Sequence, residues 1–242
     1  MKVRVAYIEE PPFYWTGSDQ SATGADIELA EVTLRAIGAS AIEFVPTTFE
    51  ELLPGVQTGR WDMNVPLFVS RERAQAVAFS VPVWALGDGF VVRDGNPKAL
   101  SRYESVAAQG DAILGIVAGT VQRDTAMHAG VPDHRIVTFK RQSDAVAALL
   151  AGEIDAYAAT TVGNREIVAT HKALEAVAHA VTGNANVPVG AFSFSKENAA
   201  LLNAVNRQLC QYLGSADHLA RMAKYGITRT EIDSVVAGTA EE

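Results

Sequence analysis

The stretch Phe68-Val69-Ser70-Arg71-Glu72-Arg73-Ala74-Gln75-Ala76-Val77-Ala78-Phe79-Ser80 lies between two apolar runs, over residues 63–69 and 79–92. Both runs read as strands and crossing segments. Between them, the Arg71-Glu72-Arg73 triplet by itself reads as a solvated charged face. Outward from this point the chain alternates strand and helix. Toward the N-terminus, Val3, Val5 and Tyr7 alternate with polar or small residues, which predicts a strand ending at Ile8. Pro11 and Pro12 then predict an extended loop. Ile27, Ala30, Leu34 and Ile37 recur at helical spacing between Gly24 and Gly38. Ile42-Glu43-Phe44-Val45-Pro46 reads as the second strand, and Thr48 with Glu51 as a capping box on the next helix. Pro54 shifts the expected start of that helix a residue or two later.

Toward the C-terminus, the turn cluster Asp94-Gly95-Asn96-Pro97 restarts the alternation. Residues 113–117 read as strand, and Gly119-Thr120 opens a helix. Residues 136–139 are strand, Ser143 caps a helix that stops at Gly152, and 154–158 are strand. The glycine-rich 182–188 reads as a return connection to a strand over 189–194, followed by helices over 199–213 and 217–224. Such alternation predicts an α/β protein with largely parallel sheets. Leu53-Pro54-Gly55-Val56-Gln57-Thr58-Gly59-Arg60-Trp61-Asp62-Met63 is echoed by Ala148-Leu149-Leu150-Ala151-Gly152-Glu153-Ile154-Asp155-Ala156. The echo is too distant for a solenoid repeat and suits two similar lobes.

With 242 residues, 48% of them hydrophobic, the chain can form one large domain or two lobes, and is not a disordered protein. No uninterrupted apolar stretch approaches the ~18 residues of a membrane span. The net charge of −8 repels phosphate backbones and anionic lipid, which excludes nucleic-acid binding. Cys210 is the only cysteine, so no intrachain disulfide and no cysteine-rich metal site form; its helical context predicts a small buried residue. His128, His134, His171, His179 and His218 show no i,i+4 pair and read as surface or capping residues. Asp62 and Asp155 read as turn or cap residues. Phosphate loops, dinucleotide fingerprints and nucleophile elbows are missing from the sequence, so neither a metal nor a cofactor is expected. Met1-Lys2-Val3-Arg4-Val5 begins directly as a strand, which fits either a cytosolic chain or one whose leader has been removed.

The 68–80 stretch resembles the signature Ser/Thr-x-Glu-Arg-x-x-x-Val-x-Phe-Ser of the family 3 solute-binding proteins of amino-acid-type ABC transporters. Other parts follow in order: Pro11-Pro12-Phe13, Thr23-Gly24-x-Asp26-Ile27, Phe49-Glu50-Glu51-Leu52-Leu53-Pro54, Gly59-x-x-Asp62, Gly115-Ile116-Val117-x-Gly119-Thr120 and Gly152-x-x-Asp155-Ala156. Together they span essentially the whole chain. The resemblance implies a two-lobe periplasmic binding protein of type II, each lobe a mixed sheet flanked by helices, joined by two crossing strands. It places lobe one at 1–87 plus 187–242 and lobe two at 88–186, with crossings around 88–92 and 182–187. It further implies a monomeric, periplasmic protein that closes on a small zwitterionic ligand between its lobes and delivers it to an ABC transporter permease.

By the same resemblance Arg73 holds the ligand's carboxylate, a role that suits a planar, permanently charged guanidinium. Gly119 and Thr120 resemble the clamp of lobe two, with Gln122 beside them; ordinary helix capping is the alternative there. Several positions depart from the family pattern. Amino-acid binders place an aspartate, which holds the α-ammonium, where this chain has Thr160. Tyr7 replaces an early-strand aspartate, Phe68 a hydroxyl or small residue, and Pro66 a small residue with a backbone donor. Charge and aromaticity stand elsewhere: Glu10, Phe13, Phe49, Phe68 and Arg73 resemble the box of ectoine- and hydroxyectoine-binding members, with phenylalanine rather than tyrosine at 49. A carboxylate with three rings suits a delocalised or hindered cation. For each ring core packing is the competing reading, and for Glu10 a solvated loop. Trp15 and Trp84 are rim candidates. The expected function is a non-enzymatic binding component. An enzyme resembling cyclohexadienyl dehydratases, with Glu10 as general acid, and a sensor domain are the alternatives.

Overall fold

The computed structural model describes residues 1–180 and 187–239. The chain divides into unit 1, Met1–Leu86 with Pro188–Glu242, and unit 2, Gly87–Val187. Unit 1 opens with β1 (Lys2–Tyr7), β2 (Trp15–Thr16), β3 (Ala22–Thr23), α1 (Ala25–Ala36), β4 (Ala41–Pro46) and α2 (Phe49–Gln57). It continues through β5 (Met63–Phe68), α3 (Arg71–Ala76), β6 (Ala78–Phe79) and β7 (Trp84–Ala85). Unit 2 holds β8 (Asp88–Arg93), α4 (Tyr103–Ala108), β9 (Leu114–Val117), α5 (Gln122–His128) and β10 (Ile136–Phe139). After these come α6 (Gln142–Ala151), β11 (Ala156–Thr160), α7 (Thr161–Thr170) and β12 (Leu174–Ala178). The chain returns to unit 1 as β13 (Val189–Phe194), α8 (Ala199–Tyr212), α9 (Ala216–Ala223) and α10 (Arg229–Thr239).

The sheet of unit 1 runs β4-β1-β5-β13-β6, with β7 also on β13. β1 is parallel to β4 and β5, whereas β13 is antiparallel to β5. Pro66, in the middle of β5, has no N–H to give its neighbour, and the β13 register shifts between Ala191 and Ser193 at this point. Phe192 pairs instead with Ser80, donating to its Oγ (3.1 Å) and accepting from its N–H (2.9 Å). In unit 2 the order is β10-β9-β11-β8-β12, with β10, β9 and β11 parallel and β8 antiparallel to both neighbours. One face buries Phe90, Val92, Leu114, Ile116, Ala156 and Ala158. The other buries Val91, Tyr157 and Ala159 against Leu149 and Ile167.

The internal echo has a shared physical cause. Asp62 accepts the Arg4 N–H (2.8 Å) while its own N–H bonds the Arg4 carbonyl (3.0 Å). Asp155 does the same to Ile113, at 2.9 and 2.8 Å. Each aspartate fastens the residue ahead of a strand to the neighbouring strand.

Several local expectations are corrected. The Pro11-Pro12 segment is a tight turn, not an extended loop: Glu10 N–H bonds Tyr14 O (2.8 Å) and Phe13 N–H bonds Glu10 O (3.0 Å). α2 starts at Phe49 despite Pro54, because Leu52 and Val56 bury its inner face; the Thr48 side chain forms no cap bond. Arg141, not Ser143, precedes α6, which puts Ser143 inside the helix. Cys210 is exposed, one step round from the buried stripe Leu201, Val205 and Leu209. His218 is fully buried and accepts the Gly214 N–H (3.1 Å). The expected crossing at 88–92 lies within β8, a sheet strand of unit 2, and the one at 182–187 falls, apart from Val187, outside the described residues.

Candidate functional site

In unit 1 the turn from Glu10 to Tyr14 is held against the start of α1. Ala25 N–H donates to Pro12 O (3.0 Å) and Asp26 N–H to Phe13 O (2.9 Å), so loop carbonyls satisfy the first helical donors. Gly24, at φ +126°, allows this approach, since a Cβ there would overlap the Phe13 carbonyl. The turn presents Glu10, Phe13 and Tyr14 together. The Tyr14 hydroxyl donates to Glu10 Oε2 (3.2 Å). Burial pushes the Glu10 carboxyl up to about 7, against the lowering effect of that bond.

Behind the turn stands Trp84. Its indole packs on Phe13 (5.9 Å between centroids) and edge-on to Phe68 (5.3 Å), and its Nε1–H donates to both Asp26 oxygens (3.2 and 3.4 Å). Gly190 on β13 leaves the room: a side chain there would occupy the indole's space. Asp26 is fully buried, and its pKa rises well above the usual carboxylate range through burial, with the Glu10 charge adding to the rise. Trp84 is therefore a buried wall rather than a rim residue, while Trp15 meets Tyr225 at 6.2 Å.

Arg73 is half-buried on α3, which Ser70 caps by accepting the Arg73 N–H (3.2 Å). Its guanidinium carbon lies 5.2 Å over the Phe49 ring, and Nη1 donates to Phe68 O (2.8 Å). The Arg73 charge also reaches the Tyr14 hydroxyl, opposing the effects of burial and Glu10 there. Unit 1 thus assembles Glu10, Phe13, Phe49, Phe68 and Arg73 around Tyr14 and Trp84. Phe13 is buried; Phe49 and Phe68 stay partly open.

Unit 2 gathers a second polar group at the ends of β9 and β11. Thr160 is buried, and its hydroxyl accepts the Gly163 N–H (3.1 Å) at the start of α7. Its register partner on β8 is Asp88. The Asp88 carboxylate accepts from Tyr103 Oη (2.5 Å), Gly89 N–H (3.0 Å) and Gln122 Nε2 (3.4 Å). Burial nonetheless pushes its pKa up to about 6. His179, edge-on to Phe90 (4.3 Å) and Tyr103 (5.0 Å), is lowered to about 4 by burial. Gly119 takes a left-handed φ of +79° in the turn before α5. Thr120 turns both its hydroxyl (2.8 Å) and its N–H (3.3 Å) to the Val117 carbonyl. Both Thr120 donors are thus engaged internally in this structure.

A family model for bacterial extracellular solute-binding proteins, family 3, matches residues 3–226. The chain belongs to that family. Among curated relatives of this solute-binding protein, a probable amino-acid ABC transporter periplasmic-binding protein of Sinorhizobium fredii, y4tE, is 30% identical over 99% of the chain and 82% of its own length. The crystal structure of EhuB in complex with hydroxyectoine aligns at TM-score 0.86 and 26% identity, covering 97% of this chain and 94% of that one. An ancestral amino acid-binding protein, AncCDT-1, described as a precursor of cyclohexadienyl dehydratase, aligns at TM-score 0.81 and 25% identity over 93% and 94%. The expected type II two-lobe α/β fold is thereby shown.

Sequence reasoning assigned no role to Tyr14, Asp26, Asp88 or Tyr103. Asp26 stood in the quoted Thr23-Gly24-x-Asp26-Ile27 motif, but its partner Trp84 is distant in sequence. Asp88 reads in the sequence only as the start of the expected crossing segment 88–92, with no ligand role. Among the described residues, no group of three or more His, Cys, Asp and Glu side chains is disposed to hold a metal ion, and no helix is long and apolar enough to cross a membrane.

Proposed function

We propose that this solute-binding protein is the substrate-binding component of an ABC importer, working as a periplasmic monomer. Its ligand is a small zwitterionic carboxylate, and an ectoine-like cyclic amidinium carboxylate is the species to test first. The observation that carries this reading is the placement of Arg73 against Phe49 and Phe68, with Glu10 and Arg73 both acting on Tyr14. A guanidinium offers paired N–H donors to a carboxylate. Partly open rings beside a buried carboxyl group favour a delocalised cation over a compact, strongly hydrated ammonium. The hydroxyectoine complex of EhuB supports this choice of ligand, and the Sinorhizobium relative, a probable amino-acid ABC transporter periplasmic-binding protein, supports the importer role.

Isothermal calorimetry with ectoine tests it. The unaltered protein binds, Arg73→Ala abolishes the heat, and Phe68→Ala weakens binding by about 1–2 kcal/mol. Unchanged affinity in Arg73→Ala would refute the site. One observation favours a second reading: a Glu10 proton held to about pH 7 is suited to general acid catalysis. Absorbance of prephenate or arogenate incubated with the protein separates the two. A constant signal fits binding alone, and turnover replaces it with a dehydratase-like enzyme.

A further inference from the structure

We propose that Asp88 is the residue through which unit 2 holds a cationic N–H group of the ligand, whether amidinium, guanidinium or ammonium. The inference rests on the zwitterion-binding reading above and concerns a residue which that reading does not use. Asp88 opens β8, opposite Thr160 at the end of β11. Directly opposed residues of an antiparallel pair project from the same face of the sheet. Farther along that face Phe90 and Ala158 are sealed in the core with Tyr103 and Ala126. Asp88 and Thr160 stand at its end, where Gln122 begins α5.

The bonding of Asp88 is that of an acceptor still incomplete. A carboxylate has about four acceptor sites, and the donors from Tyr103, Gly89 and Gln122 occupy three. All three favour its charged form. Yet the described ion pairs of unit 2 go to Glu104, Asp111, Asp133, Asp144 and Asp155, and none of them to Asp88. A desolvated carboxylate without a counter-charge is costly, and a cationic N–H donor from the ligand supplies both the charge and the remaining hydrogen bond. Thr160 bears no charge, so the carboxylate on this end of the sheet comes from the adjacent strand. A permethylated cation carries the same charge but no N–H, and gains much less from such an acceptor.

The competing role is bracing: Asp88 would merely tie β8 to α4 through Tyr103. Calorimetry on the unaltered protein, Asp88→Asn, Asp88→Glu and Tyr103→Phe, with ectoine, L-arginine and glycine betaine as probes, distinguishes the two. Asp88→Asn is expected to weaken ectoine or arginine at least tenfold while changing betaine less than twofold, and Asp88→Glu to recover part of the loss. Tyr103→Phe, which keeps the charge, should stay within a few-fold of the unaltered protein for every probe. Equal losses on N–H and methylated cations, or no loss at all, overturn the role of Asp88 and leave the importer reading standing. An unaltered protein that binds none of the three zwitterions defeats both.

Discussion

Burial of the Glu10 carboxyl in its turn raises its pKa to about 7, so near neutrality the unliganded protein mixes charged and neutral forms. A cationic ligand selects the charged form. Affinity should therefore be full above about pH 8 and fall by close to tenfold per unit well below pH 7. Calorimetry with ectoine from about pH 5 to about pH 8 measures this, and a flat profile would separate Glu10 from the cation. Stability without ligand runs the other way. The unfolded chain ionises this group near 4.5 while the folded chain keeps the proton to about 7, so the native state binds more protons across that window and loses stability as pH rises through it. Glu10→Gln removes that loss. Glu10, Phe13, Phe49, Phe68 and Arg73 stand out in the sequence only as a set, through the resemblance to an ectoine-type box, since each ring alone reads equally as core and Glu10 alone as a solvated loop. Tyr14 and Asp26 carry no such signal: Tyr14 joins through its hydroxyl bond to Glu10, and Asp26 through an indole brought from a distant strand.

The two strand-opening aspartates explain why a short echo in the chain signalled repeated architecture. A helix stop, a glycine and an aspartate recur because each copy must fix a new strand in register beside an existing one. Asp155 shows the stronger version, with the Ile113 N–H, Arg93 and Lys98 all converging on one carboxylate whose side chain is 11% exposed. Burial works to raise its pKa, but the Ile113, Lys98 and Arg93 interactions outweigh it and hold the group below its ordinary value. Its stabilisation is present above the ordinary aspartate range and is lost as pH falls through the lowered pKa. Asp155→Ala should cost about 2–3 kcal/mol by urea unfolding, since it strands the Ile113 N–H and takes one partner each from Arg93 and Lys98. Asp155→Asn keeps an acceptor for Ile113 and should lose less. Equal losses would mean that charge pairing, not strand fastening, dominates. The cap expectations at Thr48 and Ser143 failed for a related reason: tertiary burial, rather than a local side-chain bond, set where those helices begin.

Alternating strand and helix patterns, together with the Phe68–Ser80 stretch, made the α/β architecture readable from sequence. Pairings that bring remote segments together stayed hidden. β13 inserts beside β5 across more than a hundred residues, and the Trp84 indole fits across it only because residue 190 is glycine. No local periodicity encodes that packing. The same packing leads to a prediction for the folded protein. A ligand that binds only the native state adds stability by mass action, about 2.7 kcal/mol at one hundred times its dissociation constant. For a chain of this size, each kcal/mol moves the unfolding midpoint by about 2–4 °C. Saturating ectoine should therefore raise the midpoint by about 5–10 °C, with the shift growing logarithmically with concentration. Arg73→Ala should unfold near the unliganded midpoint of the unaltered protein and show no rise, because its side chain lies partly open on α3 and outside the buried core. If that variant still rises with ectoine, the stabilisation comes from solvent exclusion of the osmolyte instead of site occupancy, and the guanidinium has no part in it.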